Sequence, residues 1–403
     1  MGRAGLHGTA VLAAVATCAI AGACGGSPRT SAGQVVQADG RVVSAARRDG
    51  EWTVRAESLD GRTVRAHRLG RVAIEGALAL SPSGRLAAFA GSSGGRAAVY
   101  VLDLERGALR SVGISAQVAT LDSFDWDGTP DSERELAWSP DERRIAFLDE
   151  RGRPSRANLA PRCDPQRAGD FAVHVVDVAA GTIRALPALP PTAAPLARSP
   201  TWIEGPAWSP DGRRILYEVW QGRDCSDGHE ALRPAQLAVV DLAGGPPRRV
   251  ASAATPGEAG WSPDGTHVAV AGRLQYPGGG AVVDVARGTA EPLPGAYYGL
   301  AWTRRGLYAL DVGDHETRSA IVLADLRNRS RRMIAPIARP EPTDEIAAPA
   351  DGRCVAVVNA RDPDADEPVW RLRVYSFRGA LLVDRDVSGA DDVALSCRLV
   401  ARE

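Results

Sequence analysis

Short apolar runs alternate with polar turns along almost the whole of this chain, and one turn sequence keeps returning. Its fullest copy is Ala207-Trp208-Ser209-Pro210-Asp211-Gly212, followed by the apolar run Ile215-Leu216-Tyr217. Near copies are Trp138-Ser139-Pro140-Asp141-Glu142 before Ile145-Ala146-Phe147, and Trp261-Ser262-Pro263-Asp264-Gly265 before Val268-Ala269-Val270. Ser81-Pro82-Ser83-Gly84, Trp302-Thr303-Arg304-Arg305-Gly306 and Ala350-Asp351-Gly352 keep the frame with less of the sequence. In these copies proline presets φ and the Asp-Gly pair turns the chain sharply, so one strand ends and the next runs back. A third apolar run then closes on an aspartate, as at Val99 to Asp103, Val173 to Asp177, Leu237 to Asp241, Val282 to Asp284 and Ile321 to Asp325. After a small-residue turn comes a short fourth segment such as Ile183-Arg184-Ala185-Leu186.

Four strands per repeat, returning six or seven times between Gly- and Asp-rich turns, is the pattern of an all-β protein of the β-propeller type. The Trp-Ser-Pro-Asp-Gly core resembles the TolB-type propeller repeats, relatives of the WD repeats, over roughly residues 40 to 403. The resemblance implies the fold and little about function, because the repeat occurs in many proteins. Val42 to Ala46, Trp52 to Ala56 and Thr63 to Ala66 form three strands with no opening turn before them, whereas Val393 to Ser396 is an opening strand with almost nothing after it. Pairing the two ends would complete one blade and remove the exposed edges of an open array. Seven four-stranded blades are therefore expected, six or eight being the alternatives. Six open near Leu80, Trp138, Trp208, Trp261, Trp302 and Ala348, and the composite blade closes the ring.

Composition sharpens this picture. A chain of 403 residues with 5% aromatics must build most of its core from Ala, Val and Leu, leaving the repeat tryptophans as its largest anchors. Forty-eight basic residues against 49 acidic ones leave a formal charge of -1, which offers no field for nucleic acid. Every basic residue other than histidine is an arginine.

The first 23 residues carry Arg3, an apolar run from Ala10 to Ile20 that is too short to span a bilayer, and then Ala21-Gly22-Ala23-Cys24. This resembles a bacterial lipoprotein signal, although Ala21 stands where that family usually has a larger aliphatic residue. The resemblance implies cleavage before Cys24, lipidation of Cys24, and a chain anchored on the outer face of the cytoplasmic membrane. Residues 24–40 read as a tether, and residues 41–403 as a single propeller, expected to be monomeric.

Candidate chemistry follows from loop position. Turns between first and second strands, and between third and fourth, are tight, while second-to-third loops and blade linkers vary in length and emerge together on the other face. Long segments gathered on one face are where binding usually sits. Trp126 and Trp202 fall in blade linkers, and Tyr297 and Tyr298 immediately precede an inner strand; flat aromatics there suit a protein loop or a small ligand. In an oxidising compartment the cysteines are disulfide candidates, Cys163 with Cys225 and Cys354 with Cys397. Asp122, Asp125 and Asp127, and Asp362, Asp364 and Asp366, alternate as carboxylates that could meet a calcium ion, but neither run fits an EF-hand loop, and solvated acidic loops are the simpler reading. No other cofactor is implied. Gly260-Trp261-Ser262-Pro263-Asp264 misses the Gly-x-Ser-x-Gly elbow of propeller-bearing serine peptidases, and Ser139 and Ser209 repeat Ser262 as turn residues. The expectation is a non-catalytic binding module of the cell envelope; the alternative is a hydrolase or lyase with an acidic, metal-dependent site at the channel mouth.

Overall fold

The computed structural model describes residues 12–15, 36–62, 64–74, 78–114, 136–151, 170–187, 201–221, 235–253, 259–271, 280–293, 295, 297–311, 319–337, 345–360, 370–387, 392–395 and 398–401. These form seven antiparallel blades with no helix among the described residues. Blade 1 has an inner strand in two pieces, Ala73–Ile74 and Ala79–Leu80, both paired with Leu86–Ser93; Arg96–Asp103 and Leu109–Ile114 complete it. Blades 2 to 6 begin at Leu136–Trp138, Thr201–Trp208, Ala259–Trp261, Tyr297–Thr303 and Glu345–Ala347, and each runs outward through three consecutive strands.

Blade 7 closes the ring. Its inner strand, Asp392–Leu395, comes from the C-terminus and pairs antiparallel with Arg41–Arg48, followed outward by Glu51–Ser58 and Val64–Arg68. Beyond Gly40 the same register resumes: Val36–Asp39 pairs with Arg398–Ala401, in line with the pairing of residues 42–45 with 392–395. The clasp is thus longer than the blade itself, an extension that no apolar alternation announces. Leu12–Val15, inside the expected leader, lies parallel to Asp392–Leu395 as a fifth strand.

Small residues before the tryptophans explain how the blades stack. Successive side chains of a strand point to opposite faces of its sheet, so Trp208 turns toward blade 2 while Ala207 turns toward blade 4. Each ring then lies over the small residue of the preceding blade, and its indole N–H reaches that residue's carbonyl. Trp138 Nε1 donates to Ala79 O at 2.9 Å, Trp208 Nε1 to Ala137 O at 2.9 Å, and Trp261 Nε1 to Ala207 O at 3.1 Å. A larger side chain at Ala137 or Ala207 would occupy the space of the indole. With few aromatics available, this arrangement places one large anchor at each of these seams.

Candidate binding face

Because strands within a blade alternate in direction, the tight turns share one face of the ring and the longer connections share the other. The turn face carries the most conspicuous chemistry of the sequence, and the structure spends it internally. Ser209 Oγ donates to Asp211 Oδ1 at 2.5 Å, the same carboxylate accepts the Arg213 N–H at 3.0 Å, and Ser209 Oγ accepts the Arg214 N–H at 2.9 Å. Blades 2 and 4 repeat this through Ser139 with Asp141 and Ser262 with Asp264. The hydrogen bond from Ser262, opposed by burial and reinforced by Thr266, holds the Asp264 carboxyl at about 2, below its ordinary 3.8. A serine tied to a carboxylate in this way is an acceptor for its own backbone, not an activated nucleophile.

The third-strand aspartates are turn caps of the same kind. Asp103 accepts the N–H groups of Glu105 and Arg106, Asp177 those of Ala179 and Ala180, and Asp284 those of Ala286 and Arg287. The N–H of Arg106, against the opposing cost of burial, is the main reason the Asp103 carboxyl lies below the usual range; that of Arg287 does the same at Asp284. A groove of about 540 Å³ between blades 2 and 3 is lined by Arg144, Asp211, Arg213 and Asp241, but Arg144, Asp211 and Asp241 are already engaged in these turns.

At the turn following Trp138 the repeat departs from glycine. Glu142 adopts φ 58°, where the equivalent Gly84, Gly212, Gly265 and Gly352 have φ of 65–69°. The side chain returns something for the strain, since its carboxylate accepts both the N–H and the hydroxyl of Ser83 in blade 1.

Arginine supplies a second ring of contacts, which sequence reasoning missed. On the outer strands, Arg110 donates to Val178 O at 2.5 Å, Arg184 to Leu242 O at 2.8 Å, Arg248 to Val285 O at 2.6 Å and Arg332 to Phe377 O at 2.5 Å. Each carbonyl belongs to the third-to-fourth turn of the next blade. Arg385 continues the series to Ser58 O, Leu59 O and Glu57 Oε2, and Arg65 to Glu105 O. Between blades 4 and 5 the pair Glu291–Arg329 replaces it at 3.2 Å. All seven seams are thereby bridged at the rim. The signal was present, an arginine in every outer strand but that of blade 4, but its meaning depends on which carbonyl the neighbouring blade presents.

The opposite face receives the longer connections. Of the four aromatic candidates, Trp126 lies outside the described residues. Trp202 does not sit in a linker: the inner strand of blade 3 reaches back to Thr201, and Trp202 is the register partner of Trp220. The second strand offers an edge that far, and the Glu204/Ala207 register shift, with Gly205 at φ 60°, lets the inner strand follow it. Tyr297 and Tyr298 likewise belong to the inner strand of blade 5, opposite Asp311 and Leu310. The Tyr297 ring is fully buried in the cluster of Ala271, Leu293, Leu300 and Leu307. Burial, and then the Asp311 carboxylate, push its hydroxyl above the ordinary phenol range. Asp311, itself buried, is ion-paired with Arg331 at 2.5 Å. Tyr297 therefore forms wall rather than surface.

Cys354 is buried and disulfide-bonded. Cys24, Cys163, Cys225 and Cys397 lie outside the described residues, as do Asp122, Asp125, Asp127, Asp362, Asp364 and Asp366. Among the described residues no group of three or more His, Cys, Asp or Glu gathers as a metal site, and no helix is long and apolar enough to cross a membrane.

With this geometry in hand, comparison with known proteins is informative about architecture. No family model matches the chain, and no curated protein does. Solved structures do. An oligogalacturonate lyase in complex with manganese is 12% identical, with a TM-score of 0.55 over 88% of this chain and 85% of that one. A puromycin hydrolase is 16% identical, with a TM-score of 0.56 over 89% of this chain and 55% of that one. TolB from Acinetobacter baumannii is 12% identical, with a TM-score of 0.45 over 89% of this chain and 66% of that one. The likeness is one of fold. The chain is a seven-bladed β-propeller that spans about two thirds of TolB and just over half of the hydrolase.

Proposed function

We propose that this propeller is an exported, lipid-anchored, non-catalytic module of the cell envelope that binds a protein or a small ligand on its long-connection face. The observation that carries the reading is how the repeat chemistry is used. The serines and aspartates that look most reactive in the sequence are bound into their own turns, and the outer-strand arginines hold neighbouring blades together. What differs from blade to blade is the set of connections on the other face, and recognition draws on what differs. The disulfide at Cys354 suits an oxidising compartment, in keeping with the leader-like N-terminus. Cys24 is the lipid attachment point in this reading, and Trp126 with Trp202 the first side chains to test for binding.

Two measurements test it. Membrane fractions should retain the wild-type chain and release Cys24→Ser; equal retention of both would remove the anchor. Chemical crosslinking on intact cells should join the chain to an envelope component, and a Trp126→Ala/Trp202→Ala variant of unchanged thermal midpoint should lose that adduct. The solved lyase with manganese and the hydrolase define the competing reading, a hydrolase or lyase. Stoichiometric manganese or calcium in the purified protein, together with turnover of an oligogalacturonate or peptide substrate, would establish that reading instead.

A further inference from the structure

We propose that Cys354 is crosslinked to Cys397, and that this disulfide is a covalent, redox-sensitive lock on the seam where the ring closes.

Cys354 opens the second strand of blade 6 immediately after the Asp351-Gly352 turn, so it sits at the turn-face end of that strand. Its side chain has 0% exposure and belongs to the cluster that fills the space between blades 6 and 7, with Val42, Leu59, Ala347 and Val374. Val42 in turn is the register partner of Leu395, at the turn-face end of the C-terminal strand. Cys397 follows Leu395 by two residues and directly precedes Arg398, where the same register resumes against Asp39. The two described ladders therefore bracket Cys397 in sequence, just after the strand that pairs with Val42, the residue that packs with Cys354.

The remaining cysteines are placed badly for this bond. Cys163 and Cys225 lie in the second-to-third connections of blades 2 and 3, which leave from the opposite ends of their strands and belong to blades across the ring. Cys18 and Cys24 belong to the leader and the start of the tether.

Bond formation requires an oxidant, which thiol–disulfide exchange with a small or protein disulfide supplies. One cysteine thiolate attacks the donor disulfide, forming a mixed disulfide and expelling a thiolate. The second cysteine displaces the remaining donor thiol. In total the two cysteines lose two protons and two electrons, and the donor disulfide becomes two thiols. The consequence is mechanical. Without the bond, blade 7 is held by pairing between the two ends of the chain; with it, the C-terminal strand leaves only if blade 6 is also disrupted.

The test uses the full chain purified without reductant, with free thiols alkylated before tryptic digestion. The expected product is peptide 354–361 joined to peptide 386–398, separating on reduction. Reduced wild-type protein and Cys397→Ser should each lose roughly 5 °C of thermal midpoint and release the C-terminal segment early in limited proteolysis. Should Cys397→Ser fail to fold, the reduced wild type makes the same comparison. Recovery of peptide 354–361 already alkylated, or joined to the peptide of Cys163 or Cys225, overturns the pairing. A confirmed pairing whose reduction moves neither the midpoint nor the cleavage pattern overturns the lock.

Discussion

The seam between blades 2 and 3 and the seam between blades 6 and 7 do the same job with different materials. At the first, repeat meets repeat. Trp208 lies over Ala137, donates to its carbonyl, and is covered by Arg144, whose guanidinium is 4.9 Å from the ring centroid and also donates to Gly212 O. The bonds are those of a neutral indole and of two arginines, Arg144 and, at the rim, Arg184, each reaching a single backbone carbonyl of blade 3. At the second, the last repeat meets a blade made from both ends of the chain. No tryptophan of the repeat stands there; in blade 7 the matching position, opposite Val42, is Leu395. Trp370, Val42, Leu59 and Val387 fill the core instead, and Arg385 fans out to Ser58 O, Leu59 O and Glu57 Oε2 at 2.7–3.0 Å. Loop-closure entropy explains the contrast. Neighbouring repeats are close in sequence and find one another readily, whereas the closing seam joins residues more than three hundred positions apart and needs stronger, more directional bonds.

The comparison breaks first at the tryptophan. Trp208→Ala empties the largest side chain of the repeat seam and should cost about 4 kcal/mol in urea unfolding. Trp208→Phe, which keeps most of the volume but orphans Ala137 O, should cost about 1–2 kcal/mol. If both variants cost the same, the hydrogen bond rather than packing holds this seam.

Arg385→Ala is the corresponding test of the closing seam. It leaves the buried Glu57 with Arg55 alone and takes the guanidinium from two turn carbonyls, of which Ser58 O keeps the Gly61 N–H, a loss of about 3 kcal/mol. Limited proteolysis should then begin at the chain ends rather than in blades 2 to 4. Arg385→Lys should recover less than half of the loss, because a single ammonium cannot reach three acceptors at once.

Acid sharpens the contrast in a different way. The carboxyl of Asp264 is held at about 2, below 3.8, so its contribution is complete above pH ~4 and disappears as pH falls toward ~2. Allowing for screening of an exposed turn, the contribution is about 1 kcal/mol. Asp264→Asn should flatten the acid limb of the stability curve by that amount, while leaving the slope unchanged above pH 5.

The smallest effect concerns Glu142. Glu142→Ala keeps the left-handed backbone and loses the contact with Ser83, whereas Glu142→Gly loses the same contact and relieves the backbone. The glycine variant should be the more stable of the two by about 1 kcal/mol, measured by thermal unfolding. Equal midpoints would mean that the turn carries no strain.

Much of the candidate site was hidden from the sequence for a related reason. The repeat turn was legible because Ser, Pro, Asp and Gly each act within a few residues of themselves. Trp202 was misplaced because its strand is extended by a partner, Trp220, and by a bulge at Gly205, neither of which the local alternation records. Tyr297 looked like a binding aromatic ahead of an inner strand, but its burial against blade 4 depends on Ala271 and Leu293, residues of another repeat.

What the sequence alone determined is the blade: period-two apolar runs, the Ser-Pro-Asp-Gly turn, the small residue before each tryptophan, and the unfinished pieces at the two ends. Each of these follows from short-range sterics and hydrogen bonding. Only the tertiary structure decided that every outer strand reaches its neighbour, that the clasp extends to residues 36–39 and 398–401, and that Arg385 binds a turn 326–328 residues away. Those contacts join groups with no sequential relation, and they exist because closing a ring brings distant carbonyls within reach of an arginine.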